Sequence, residues 1–276
     1  MTDSQGGAPG IAQNRRRDTV RHGDTTLDVI VEGEGPALVL LPSSLRDSLD
    51  FDPLAERLAS QGWRVIRPQP RGMGQSSPPP AGMTLATLAD DVAAVIDHLS
   101  AAPAVVVGHA YGHWVARQTD LRHPRRVRGV VALGAAARVF PDGMAESLAI
   151  ASDPERSRQE RLAALQHCMF APGNDPSDWL AGWYPQWRAA YRAASQLPPR
   201  DDWYGLAHAP LLDLHGEHDA WRPPSTRQEL AQVLGDKVTV QVIAGAGHAL
   251  VPEQPEAIAQ AITHWARAIG HSALAT

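Results

Sequence analysis

The chain has 276 residues, 43% of them hydrophobic and 20% charged, which is enough for one large α/β domain or two small ones and excludes global disorder. A formal net charge of −5 argues against a nucleic-acid binder, and the 25 basic residues are all arginine except Lys237. The single cysteine, Cys168, rules out an intrachain disulfide and a thiolate-rich zinc site.

No segment approaches the roughly 20 apolar residues of a membrane span. The run Arg15-Arg16-Arg17 has no apolar stretch behind it, as a signal peptide would require. The expectation is a cytoplasmic protein, monomer or homodimer, with no membrane or nucleic-acid partner. Residues 1–18, rich in Gly, Gln and Asp, read as a disordered lead.

Along the chain, short apolar runs alternate with helical patterns. Thr26–Val31 alternates as a strand does, and Ala37–Leu41 (ALVLL) is a continuous apolar run, as in a strand covered on both faces. Leu54, Ala55, Leu58 and Ala59 mark a helix that Gly62 stops, and Trp63–Arg67 is strand-like. Leu88, Val92, Val95, Ile96 and Leu99 make one apolar face of a helix over 85–99. Ala104–Val107 is the next buried strand, Gly112–His123 a helix and Gly129–Leu133 a further strand. From about Phe140 to Tyr204 the strand signal disappears, and four of the eight tryptophans lie there. Strands return at Pro210–Leu214 and Val238–Val242, and Gln254–Ile269 is a final amphipathic helix. This order predicts a mostly parallel sheet with helices on both faces, and a helical insert lying over the strand ends where such sheets bind ligands.

The sharpest motif is Gly108-His109-Ala110-Tyr111-Gly112, between a buried strand and a helix. Its glycines permit a sharp turn and a close helix–strand approach, the context of a nucleophile elbow. Together with Arg71-Gly72-Met73-Gly74-Gln75-Ser76, Gly216-Glu217-His218-Asp219 and Gly245-Ala246-Gly247-His248, it resembles the capped, single-domain α/β-hydrolase superfamily over roughly residues 24–270. The resemblance implies an α/β-hydrolase fold with an eight-stranded, mostly parallel sheet. Its core is expected at 19–137 and 206–272, with a helical cap at 138–205.

One position departs from the family pattern. Ala110 stands where the nucleophile belongs, and a methyl group can form no acyl-enzyme. Either the alanine is native, or it replaces a serine. What the resemblance leaves is a dyad: Asp219 orienting His248, which acts as general base on water or on an acidic substrate proton. The oxyanion donors are the backbone N–H groups of Tyr111 and of Ser44, with Ser43 second, because Pro42 has none. The leading function is a cofactor-independent enzyme on a small or medium apolar substrate, cleaving an ester, lactone or activated C–C bond without a covalent serine step. The alternatives are lyase or isomerase proton transfer on the same dyad, a non-catalytic ligand binder, or an engineered serine hydrolase.

Other residues invite plainer readings. His109 is expected to pack beneath the turn, Arg71 to make structural hydrogen bonds, and Cys168 to act as a small buried hydrophobe. His113, past the elbow, is a candidate ligand contact. Trp179, Trp183 and Trp187, at i, i+4 and i+8, read as the packed face of a cap helix, with Trp183 chosen to line the pocket. His215, His218 and Asp219 match no standard zinc spacing, so no metal is expected.

Overall fold

The computed structural model describes residues 15–272. Strands β1 (Arg16–His22), β2 (Thr25–Glu32), β3 (Ala37–Leu41) and β4 (Arg64–Pro68) come first, with helix α1 (Asp52–Ser60) between the last two. Next are α2 (Leu85–Leu99), β5 (Ala104–His109), α3 (Tyr111–Arg122) and β6 (Val127–Leu133). The segment that follows carries α4 (Met144–Ala151), α5 (Arg158–Cys168) and α6 (Arg188–Ala194). The chain returns to the sheet with β7 (Leu211–Gly216), α7 (Glu229–Leu234) and β8 (Val238–Ile243), and ends in α8 (Leu250–Glu253) and α9 (Pro255–Ser272).

The eight strands form one sheet in the order β1-β2-β4-β3-β5-β6-β7-β8. β1–β2 and β2–β4 pair antiparallel, and every other pair is parallel. β3 and β5 are buried at every residue, because apolar layers cover both faces of the sheet. On one face, Leu54 and Leu58 of α1 pack with Ile258 and Ile262 of α9. On the other, Leu88, Val92 and Ile96 of α2 pack with Val115 and Ala116 of α3.

This order fixes where a ligand can sit. The chain leaves β3 for β4 on one side, then returns across it to β5 on the other. The loops after β3 and β5 therefore diverge, and the crevice between them is the switch point at which open α/β sheets bind ligands. The insert between β6 and β7 lies over it. α5 begins with a capping box in which Ser157 and Glu160 satisfy each other's backbone N–H groups.

Two expectations need correction. β1 begins at Arg16, inside the stretch read as a disordered lead; residues 1–14 lie outside the described residues. β1 escaped a hydrophobic reading because it is an edge strand, with Val20 its one buried residue. The tryptophan stripe is not a helix face either. Trp179 lies in a 3-10 turn (Ser177–Leu180), Trp183 forms an isolated bridge with Arg46, and Trp187 ends a second 3-10 turn (Pro185–Trp187). Gly182, at φ +77°, and Pro185 break the helical path between them.

Candidate active site

The elbow is built from two close approaches. A Cβ on Gly108 would lie 2.2 Å from the Gly112 backbone, and one on Gly112 would lie 2.3 Å from the Leu41 carbonyl oxygen, so only glycine lets α3 start this close to β3 and β5. Between them Ala110 has φ +46° and ψ −113°, a strained conformation for a residue with a Cβ. Its N–H donates to the Leu133 carbonyl at 2.9 Å, and its own carbonyl accepts from the His113 backbone N–H at 3.0 Å and from His113 Nδ1–H. The strained turn is thus kept although Ala110 offers no nucleophile.

His248 follows β8 and Asp219 follows β7, the neighbouring strand. His248 Nδ1–H donates to both carboxylate oxygens of Asp219, at 3.0 and 3.1 Å. The Trp221 backbone N–H donates to Asp219 Oδ1 at 2.9 Å, and its indole lies tilted against the His248 ring, 5.3 Å between centroids. Burial alone would raise the Asp219 carboxyl; the charge of His248, its hydrogen bond and the Trp221 N–H outweigh burial and hold it below the ordinary value. Beneath the pair, His109 Nε2–H donates to the His248 carbonyl at 2.8 Å, and burial drives the His109 ring down to about 3, so it is neutral. Burial likewise takes His113 well below its ordinary value.

These groups border a cavity of about 600 Å³. Ser43, Ser44, Ala110, Tyr111, His113 and His248 all line it, so these sequence candidates meet in one place. Asp219 sits behind His248 with its side chain fully buried. Tyr111 opens α3, so its N–H has no partner within the helix. Trp183, expected in the pocket, does not line it among the described residues. Its ring instead lies 4.7 Å from the Arg46 guanidinium carbon, outside the cavity.

Residues that the sequence reading passed over complete the enclosure. Trp114 and Phe140 stack at 6.4 Å and line the cavity with Leu148, Met169 and Trp221. Tyr191 of α6 also lines it, and donates from its hydroxyl to the Arg71 carbonyl at 2.9 Å. Trp187 Nε1–H donates to the Gly72 carbonyl at 2.9 Å, so the cap is anchored on the Arg71–Gly74 loop. Arg71 makes two bonds to Asp91, at 2.6 and 2.8 Å, a structural role. Cys168 is buried, and burial raises its thiol to about 12. Trp221 was open to discovery from sequence, since it stands two residues after the acid. The cap contacts were not, because no local pattern says which cap residue reaches which loop.

A sequence profile of the family described as alpha/beta hydrolase fold matches residues 36–167. A 2-(acetamidomethylene)succinate hydrolase of Mesorhizobium japonicum is 25% identical, over 88% of this chain and 92% of its own. Among solved structures, a thermophilic esterase from Thermogutta terrifontis superposes with a TM-score of 0.70 at 25% identity, covering 93% of this chain and 99% of its own. An esterase from Exiguobacterium antarcticum gives 0.74 at 21% identity, covering 90% and 98%.

Proposed function

The chain belongs to the α/β-hydrolase superfamily and is hydrolase-like, and we propose that it cleaves a small or medium substrate — an ester, lactone or activated C–C bond — using water activated by His248 in place of a serine. The observation that carries this reading is the His248–Asp219 pair bordering the same cavity as the Ala110 methyl and the start of α3.

In this mechanism the proton on His248 Nδ1 is committed to Asp219, which leaves Nε2 free to accept one. Nε2 takes a proton from water as the water oxygen bonds to the substrate carbonyl carbon. The carbonyl oxygen gains the electron pair and is met by the Tyr111 N–H, with the Ser44 or Ser43 N–H as the second donor. The intermediate then collapses, the bond to the leaving group breaks, and His248 returns its proton to that group. General-base assistance of this kind is worth on the order of 10²–10⁴-fold. Asp219 holds the tautomer and balances the imidazolium. Trp114 of α3, with Phe140, Leu148 and Met169 of the insert above it, excludes bulk water and accepts the apolar part of the substrate.

The test is turnover of a panel of p-nitrophenyl esters and lactones in ¹⁸O-labelled water. The expected result is hydrolysis that His248→Ala abolishes, with label entering the acid product in the first turnover and no labelling of the protein by a fluorophosphonate. Ala110→Ser should acquire that labelling. Binding of ligands without turnover, unaffected by His248→Ala, would favour a non-catalytic receptor. The methyl at the elbow is the observation behind that second reading.

A further inference from the structure

The cavity lining is mixed. Beside its apolar side chains, three arginines line it: Arg188, Arg192 and Arg200. Among the described residues lining it there is no Asp or Glu. Arg188 and Arg192 stand four residues apart on α6, hence on one face, where two like charges repel each other. The arrangement is held in place. Arg188 Nη2 donates to Ser152 Oγ at 2.7 Å. Arg200 Nη1 donates to the Arg138 carbonyl at 2.6 Å, with its guanidinium carbon 4.8 Å from the Trp114 ring centroid. Arg192 is exposed, and its side chain has no hydrogen-bond or ion-pair partner among the described residues.

Elsewhere the buried arginines Arg46, Arg67, Arg71 and Arg222 meet carboxylates, and buried Arg117 donates to the Tyr204 and Leu206 carbonyls. Asp201, next to Arg200 in sequence, pairs with Arg138 instead. In a chain of net charge −5, this cavity is lined by three arginines and no carboxylate among the described residues.

We propose that these arginines form an anion subsite: the substrate carries a carboxylate or phosphate group that Arg188, Arg192 and Arg200 hold while His248 addresses the reacting carbonyl. The assignment of the reacting end rests on the hydrolytic reading above; the subsite does not. The guanidinium fork matches either anion in bidentate fashion. The positive cavity also draws an anion toward the mouth from solution.

Two esters of equal length test this, p-nitrophenyl hemiglutarate and p-nitrophenyl valerate, which differ in a terminal carboxylate against a methyl. The expected kcat/KM ratio favours the hemiglutarate by about tenfold or more, the range of one or two charge-assisted bonds, and falls with added salt. Arg188→Gln/Arg192→Gln should bring the ratio to about one, and Arg192→Gln alone, at an exposed side chain, should lower it. A ratio near one in the starting protein, or one that survives the double substitution, overturns the proposal. Calorimetric titration with glutarate and with inorganic phosphate needs no turnover. If neither ester is cleaved, the hydrolytic reading fails, and the titrations still decide the subsite. Binding of either anion that weakens about tenfold in the double variant supports it, with the tighter of the two identifying the group. Binding of neither overturns it.

Discussion

The guanidinium of Arg46 lies 4.3 Å from the ring centroid of Trp179, with Trp183 on it at 4.7 Å. Arg46 stands just past the loop that offers Ser43 and Ser44 to the cavity, and both tryptophans belong to the cap. Arg46 Nη1 also donates to the Ala181 carbonyl at 2.6 Å, and Asp50 takes the remaining face of the guanidinium. Around it, the Tyr184 N–H donates to the Leu45 carbonyl at 3.0 Å, and the Tyr184 hydroxyl to Asp47 Oδ2 at 2.8 Å. One side chain thus couples the loop after β3 to the insert between β6 and β7.

Arg46→Ala should therefore cost stability and function together. Asp50 is almost fully buried, and burial raises its carboxyl against the opposing pull of Arg46. Removing Arg46 leaves an uncompensated buried carboxylate, a loss of about 3–5 kcal/mol. The loss should be larger at pH 8 than at pH 5, because a protonated Asp50 no longer needs its partner. Urea denaturation at the two pH values measures this. Arg46→Ala/Asp50→Asn should recover part of it, whereas additive losses would mean that the pair is not coupled.

The elbow predicts a gain. A residue with a Cβ in the Ala110 conformation pays about 1–3 kcal/mol of strain. In a serine enzyme that strain positions the nucleophile; here it positions a methyl group. Ala110→Gly relieves it, less the greater freedom of glycine in the unfolded chain, and should stabilise by up to ~1 kcal/mol. Gly108→Ala and Gly112→Ala should prevent folding, since their clashes are with backbone. A destabilised Ala110→Gly in thermal and chemical melts would show that the turn is not under strain.

The contrast among these positions explains what the sequence could reveal. β3 coincides with the ALVLL run, because a strand covered on both faces writes its burial into every residue. The elbow, Asp219 and His248 were legible because strand ends, glycine turns and chain order are local features. β1 was not, since an edge strand needs apolar residues on little of its length. The cap misled for a different reason. Trp179, Trp183 and Trp187 repeat at helical spacing, yet the interval holds Gly182 and Pro185, and the rings are fixed by Arg46 and the Gly72 carbonyl, partners more than 100 residues away in sequence.

Acid should unfold the protein through its buried histidines. In the fold His109 titrates at about 3 and His215 at about 4, both lowered by burial, and His113 well below its usual value. Unfolded, each takes a proton near 6.5. Below that value the unfolded state binds more protons, so stability falls as pH drops from about 6.5 toward 4, by ~1.4 kcal/mol per pH unit for each group. Neither ring nitrogen of His215 makes a hydrogen bond among the described residues, and Nδ1 lies 3.4 Å from Asp213 Oδ1, so His215→Phe should remove about one proton from this slope without breaking a hydrogen bond. Unfolding free energies at a series of pH values measure it; an unchanged slope would mean that His215 protonates inside the fold.

Asp219→Asn tests the orientation of His248 apart from its presence. The asparagine carbonyl can keep the bond from the Trp221 N–H, now made to Asp219 Oδ1. Its amide NH₂ then faces His248 Nδ1, which must accept rather than donate. The ring proton moves to Nε2, the atom that the proposed mechanism needs as an acceptor. The expected result is a kcat loss on the order of 10²–10⁴-fold with KM little changed, because the cavity lining is untouched. Nitrogen NMR of the imidazole should report the change of tautomer directly. A switched tautomer with undiminished kcat would remove His248 from the chemistry, whereas loss of rate with the original tautomer would assign Asp219 a charge-balancing role instead of an orienting one.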